Sequence, residues 1–151
     1  MHVHVRRTLP SLALLAALLA GPALAAAPAA NGLGQAWPNT TDVSANPNWH
    51  VYVFARGSTR YIQINDAQGV VRGAFARTPY SLVGLPIGTD AGNLSTPDEP
   101  LPAPASRASV QVYSGDGVQA YVAPQADGTA RLMLVPTDCK SDPIECNKGA
   151  P

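Results

Sequence analysis

Two stretches of period-two alternation govern what this chain can become. From Trp49 onward Val, Ile, Tyr and Phe recur at alternate positions, punctuated at short intervals by glycine-bearing turns. This is the pattern of strands with one buried face, not of a helix with its 3.6-residue period. The first stretch reads as strands at 50–56, 60–65, 69–76 and 80–85, with Arg56-Gly57-Ser58-Thr59 and Asp66-Ala67-Gln68-Gly69 as turns. The second reads as strands at 108–114, 117–123 and 130–135, turning at Ser114-Gly115-Asp116-Gly117 and Gln125-Ala126-Asp127-Gly128. Links this short make hairpins, so pairing within each stretch is antiparallel.

The expected fold is therefore all-β: two antiparallel β-meanders, 49–85 and 108–136, packed as a small sandwich or barrel with a Pro-rich crossover loop. The crossover, 86–107, contains Thr96-Pro97-Asp98-Glu99-Pro100-Leu101-Pro102-Ala103-Pro104-Ala105. Its prolines remove ladder donors and favour an extended spacer. Sliding the chain on itself by 59 positions brings Val51 onto Val110, Val53 onto Val112, Phe54 onto Tyr113, Gly69 onto Gly128 and Arg72 onto Arg131. Two meanders share valines and turn glycines without common ancestry, so a true duplication stays open.

The ends of the chain read differently. Basic Met1 to Arg7, apolar Leu12 to Ala20 and small Ala23-Leu24-Ala25 form a cleavable signal peptide over 1–25, cut after Ala25. Gly21-Pro22 ends the apolar run short of the roughly 20 residues that cross a bilayer, so no membrane span is expected. Arg6-Arg7 with Leu9 admits twin-arginine export, but Pro10 and the lack of a cofactor motif favour the ordinary route. The expected localisation is periplasmic or secreted, in a host whose Arg, Ala, Gly and Pro usage is that of a GC-rich bacterium. Residues 26–48, rich in Ala, Pro, Asn, Gly and Thr, form an extended N-terminal segment in which Trp37 tucks against the domain surface. Export places Cys139 and Cys146, neither at the cleavage point, in an oxidising compartment, where they pair and close a C-terminal tail, 137–151.

Charge narrows the partners. Without the signal, eight basic and ten acidic side chains leave a net −2, with no clustered basic excess for nucleic acid or anionic membrane. Catalytic chemistry is equally thin. His50 is the single histidine after residue 25, no Gly-X-Ser-X-Gly elbow accompanies it, and a multi-histidine metal site is excluded. Asp66, Asp116 and Asp127 could supply glycosidase carboxylates if they gathered at the sheet ends, although aspartate in a turn serves its own backbone. Asp138, Asp142 and Glu145 lack the ordered ligand loop of a calcium site. Asn39-Thr40-Thr41 and Asn93-Leu94-Ser95 match a glycosylation pattern that matters only in eukaryotic secretion. No catalytic residue, metal ligand or cofactor is named.

Alternation assigns Val51, Val53, Ile62, Ile64, Val110, Val112, Val118, Val122, Leu132 and Leu134 to the core. The opposite faces carry Phe54 and Gln111 together with the candidate binding residues Tyr52, Tyr61, Gln63, Tyr113, Gln119 and Tyr121. Aromatic and amide groups suit a protein partner or a stacked sugar, although tyrosine is also a favoured strand residue. The expected function is an exported small binding module of the bacterial envelope or secretome, its partner a protein or a cell-wall glycan. The alternatives are a structural or accessory subunit of an envelope assembly and a small hydrolase using carboxylates or His50.

Overall fold

The computed structural model describes residues 32–140 and 142–147; the expected signal peptide lies outside the described residues. Among the described residues eight strands form two sheets. The first contains β1 (Trp49–Arg56), β2 (Thr59–Asp66), β3 (Val71–Arg77) and β4 (Leu82–Gly84) in chain order, all antiparallel. The second has the order β5-β8-β7-β6, from β5 (Leu94–Ser95), β6 (Val110–Gly115), β7 (Val118–Pro124) and β8 (Ala130–Pro136). The β6-β7-β8 meander is antiparallel as expected. Two-residue β5, which arises inside the segment read as a spacer, adds to β8 in parallel.

The sheets pack face to face, β1 against β6 and β3 against β5 and β8, as an open sandwich with no closed barrel. Between them lie Val51, Ile62, Ile64, Phe75, Val112, Val122, Leu132 and Leu134, all fully buried. Each such side chain contributes about 1.5–3 kcal/mol by leaving water. Gly73, opposite Ile64, leaves the room that Leu94 of β5 fills: a Cβ there would lie 2.6 Å from Leu94 Cδ2. Turn chemistry sets the hairpins. Asp116 (φ 52°) and Gly117 (φ 78°) both take left-handed backbone between β6 and β7, which Asp-Gly provides at low cost in a two-residue hairpin.

A bulge corrects the alternation in β6. Gln111 pairs with Tyr121 but Tyr113 pairs with Ala120, so Val112 is an extra residue and the side chains beyond it change faces. Tyr113, read as outward, is 6 % exposed in the core beside Ala120 and Val118, whereas Val110, read as core, is 40 % exposed at the strand start. Val53 is half-buried, packed against the core.

Both outer faces are covered by the ends of the described chain. Over the first sheet, the Gly34 N–H donates to Gln63 Oε1 (2.6 Å), Gln63 Nε2 to the Gln35 carbonyl (2.8 Å), and Asn65 Nδ2 to the Ala36 carbonyl (2.6 Å). Pro38 and Gly32 close on Phe54, and the Trp37 ring lies on Gly69. Over the second sheet, the short helix α1 (Pro143–Cys146) packs Ile144 on Ala123, Met133 and Tyr121. Asp142 caps that helix through the Ile144 N–H (2.9 Å), and Cys139–Cys146 closes the tail as a disulfide. Arg107 clasps Asp142 and Glu145, and Asn147 Nδ2 donates to the Ser95 carbonyl (3.0 Å).

The exposed edge of β4 is blocked from within the crossover, since the Leu82 N–H donates to Asp98 (2.6 Å) and the Gly84 N–H to Glu99 (2.7 Å). Carboxylates on an edge deny it to a neighbouring strand. Among the described residues no helix is long and apolar enough to cross a membrane.

Candidate functional site

The candidate binding residues expected on the outward faces of the two meanders lie apart from one another. Tyr52 and Gln63, cross-strand neighbours on the outer side of the first sheet, are 5 % and 0 % exposed beneath the N-terminal segment. Tyr61 lies half-buried beside Phe54 on the same side. Gln119 and Tyr121 belong to the far side of the sandwich, half-buried, with the Tyr121 hydroxyl donating to Gln119 Oε1 (3.1 Å) and Gln111 Oε1 (3.3 Å). Tyr113 points inward, its hydroxyl donating to Asp116 (2.8 Å). Burial and that carboxylate raise the Tyr113 pKa well above the usual phenol range.

The turn aspartates act locally. Asp66 Oδ1 accepts from the Gln68 and Val70 N–H groups, and Asp127 Oδ1 from the Thr129 N–H (2.9 Å) and hydroxyl (2.6 Å), which lowers the Asp127 pKa. Asp116 follows β6 in the turn to β7 and faces Arg60 (Nε–Oδ1 3.6 Å). It therefore sits at the opposite end of the sandwich from Asp66 and Asp127, because β7 runs from the one turn to the other. Among the described residues no group of three or more His, Cys, Asp or Glu side chains is placed to hold a metal ion.

His50 has a partner that spacing did not suggest. Its Nδ1 lies 2.7 Å from Asp42 Oδ2, Trp37 meets its ring edge-on (centroids 5.0 Å), and Tyr52 stacks at 6.4 Å. Burial works against the Asp42 charge, but donors from Val51, His50 and Ser44 outweigh it and leave the Asp42 pKa lowered. The nearby Ser44 hydroxyl is turned toward the Asn46 carbonyl (2.9 Å). Trp37 tucks one ring face onto Gly69 yet stays 58 % exposed.

Among the concave regions of the described residues, two lie at opposite ends of the sandwich. At the end that carries the β3–β4 and β6–β7 turns, Tyr80 is 96 % exposed beside a groove of about 260 Å³, which Arg77, Pro79, Pro97, Asp98 and Pro136 help to line. The turn that presents Tyr80 is tightly bonded: Thr78 Oγ1 accepts from the Tyr80 N–H (3.2 Å) and Ser81 N–H (2.9 Å), and the Thr78 N–H donates to the Ser81 carbonyl (2.9 Å). At the other end a cleft of about 400 Å³ lies between Ala103-Pro104-Ala105 and the β7–β8 turn, with Arg131 and Asn93 in its lining.

Sequence reasoning passed over both regions. The expected strand at 80–85 begins with Tyr80, but this residue lies in the turn before β4, a position that Thr78-Pro79-Tyr80-Ser81 could have signalled as turn chemistry that faces water. The cleft depends on where the crossover folds back, which no local pattern shows. In class the described residues form an eight-stranded open β-sandwich with segments 32–38 and 142–147 packed on its two outer faces. Comparison with protein-family models, curated proteins and solved structures gives no match.

Proposed function

We propose that the chain is a small exported binding module that holds a protein partner through Tyr80 and the adjoining groove. The observation that carries this reading is the near-complete exposure of Tyr80 on a turn whose backbone is locked by Thr78 and Ser81. A tyrosine offers a large contact for few rotatable bonds, and presentation on a rigid turn lowers the ordering cost of association. Arg77 beside it supplies the other side-chain type that dominates protein interfaces. Prolines in the groove wall have little freedom left to lose. The disulfide supports an oxidising, exported setting.

The test is affinity capture from envelope and culture-fluid fractions with wild type and Tyr80→Ala, unfolding midpoints being measured in parallel. One partner retained by the wild type and lost from an equally stable Tyr80→Ala protein is the expected result; equal capture by both removes Tyr80 from the interface. A second reading, an envelope hydrolase, draws on the 2.7 Å His50–Asp42 pair. It requires a hydrolytic activity that disappears in His50→Ala.

A further inference from the structure

Arg131 lies on the outer side of the second sheet, half-buried, in the lining of the 400 Å³ cleft. Its Nη1 donates to the Pro102 carbonyl (2.8 Å), but Nε is buried without a hydrogen-bond partner, and among the described residues no carboxylate pairs with the guanidinium. Burial of this unpaired charge draws the Arg131 pKa below its usual value.

The contrast with Arg72, which the 59-position shift superposes on Arg131, identifies what is missing. Arg72 is satisfied on three sides, by Asp90 (Nε–Oδ2 2.6 Å), by Asp66 (Nη1–Oδ2 3.4 Å) and by the Gly128 carbonyl (2.8 Å). The same shift puts Gln125 where Asp66 stands. Gln125 is neutral and fully engaged elsewhere: its Oε1 accepts from the Ser106 N–H (2.9 Å), and its Nε2 donates to the Ala123 carbonyl (2.8 Å). Asp127, the one carboxylate in the cleft lining, turns its Oδ1 to the Thr129 N–H and hydroxyl and forms no ion pair with the guanidinium. A half-buried guanidinium without a counter-charge is costly unless something else supplies one. The cleft is concave, and the Asn93 side chain in its lining makes no hydrogen bond among the described residues, leaving an amide donor available on the same site.

We propose that this cleft is a binding site for a small carboxylate-bearing ligand, whose carboxylate supplies Arg131 with the counter-charge that Asp90 and Asp66 supply to Arg72. Arg131 Nη2 and the Asn93 amide donate to the carboxylate, and Ala103-Pro104-Ala105 lines the side that receives the body of the ligand. The volume suits one sugar ring or one or two amino-acid residues. An acidic sugar and a peptide C-terminus share the required chemistry.

The proposal is tested by isothermal titration of the purified protein with two matched pairs: glucuronate against glucose, and acetyl-alanyl-alanine against its C-terminal amide. At least one acid is expected to bind, with its neutral counterpart about tenfold or more weaker, as loss of a charge-assisted contact requires. Which acid binds distinguishes a sugar ligand from a peptide end. The same loss is expected for Arg131→Gln, and raised salt is expected to weaken binding of the acid. Asn93→Ala, which leaves the arginine in place, is expected to reduce affinity by a smaller factor and provides a second check should Arg131→Gln unfold. Absence of binding by both acids to the wild type, or equal binding of acid and neutral counterpart, overturns the assignment. So does unchanged binding by a folded Arg131→Gln protein.

Discussion

Replacing Gln63 with alanine tests the claim that the N-terminal segment is a structural cover for the first sheet. Gln63 is fully buried, and its amide makes three bonds: from the Gly34 N–H (2.6 Å), to the Gln35 carbonyl (2.8 Å) and to Asn65 Oδ1 (2.9 Å). At a net 0.5–1.5 kcal/mol each, their loss amounts to about 2–4 kcal/mol. The total has a ceiling, because segment 32–38 can lift away and let water satisfy Gly34 and Gln35; the cost then becomes that of exposing Tyr52 and Phe54. Either route lowers the urea midpoint. Lifting also speeds amide exchange at Gly34 and opens segment 32–38 to protease while the sandwich stays folded. Leucine at position 63 restores volume but no acceptor, so Gln63→Leu is expected to rescue little. Since Asn65 shares the network, Gln63→Ala and Asn65→Ala together should cost less than the sum of their separate effects. A stability loss below about 0.5 kcal/mol for Gln63→Ala, with unchanged exchange at Gly34, refutes the reasoning.

Two further outcomes follow from the same geometry. Replacing Cys139 and Cys146 by serine together is expected to cost about 2 kcal/mol, the closure entropy of so short a loop. It should also raise binding of a hydrophobic dye as Ile144 leaves Met133 and Ala123, which denaturation and dye fluorescence measure. Stability should fall at both pH extremes, for opposite reasons. The lowered pKa of folded Asp42 gives a contribution present above the ordinary carboxylate pKa and lost as pH falls through the folded value; Asp42→Asn removes that acid slope. The raised pKa of folded Tyr113 means that above about pH 10 the unfolded chain releases a proton that the folded chain keeps, so stability drops as pH rises. Tyr113→Phe should flatten the alkaline limb in pH-dependent denaturation, at a cost of about 1 kcal/mol at neutral pH for the lost bond to Asp116.

Strands and hairpins were legible because their causes are local. Period-two alternation and the Gly57, Asp116 and Gly117 turns place seven strands close to their observed bounds. The failures mark where long-range packing overrides the pattern. The β6 bulge cannot be seen in Val110-Gln111-Val112-Tyr113, which alternates cleanly; only pairing with β7 exposes the extra residue and sends Tyr113 inward. Strand β5 was missed for a related reason. Leu94-Ser95 is too short to alternate, and it becomes a strand because Gly73, on another sheet, leaves a space that Leu94 fills.

The candidate binding residues do not share one open surface, for a reason that extends beyond this chain. Alternation reports which side chains share a face of a strand, but it says nothing about what lies over that face. Here the cover comes from segments without periodicity, 32–38 and 142–147, whose contacts run through backbone groups and single side chains such as Gln63 and Ile144. With these segments packed on the outer faces and the β4 edge closed by Asp98 and Glu99, the two concave regions at opposite ends of the sandwich lie at the turns. One holds a tyrosine whose side chain is almost wholly exposed, and the other an arginine with no counter-charge among the described residues. Those two unmet needs cannot be exchanged. A ligand that answers Arg131 must bring negative charge into a polar cleft, whereas a partner that answers Tyr80 must bring apolar contact area. Arg131→Gln and Tyr80→Ala should therefore impair different binding events, and a single event lost in both variants would contradict the separation of the two sites along β8.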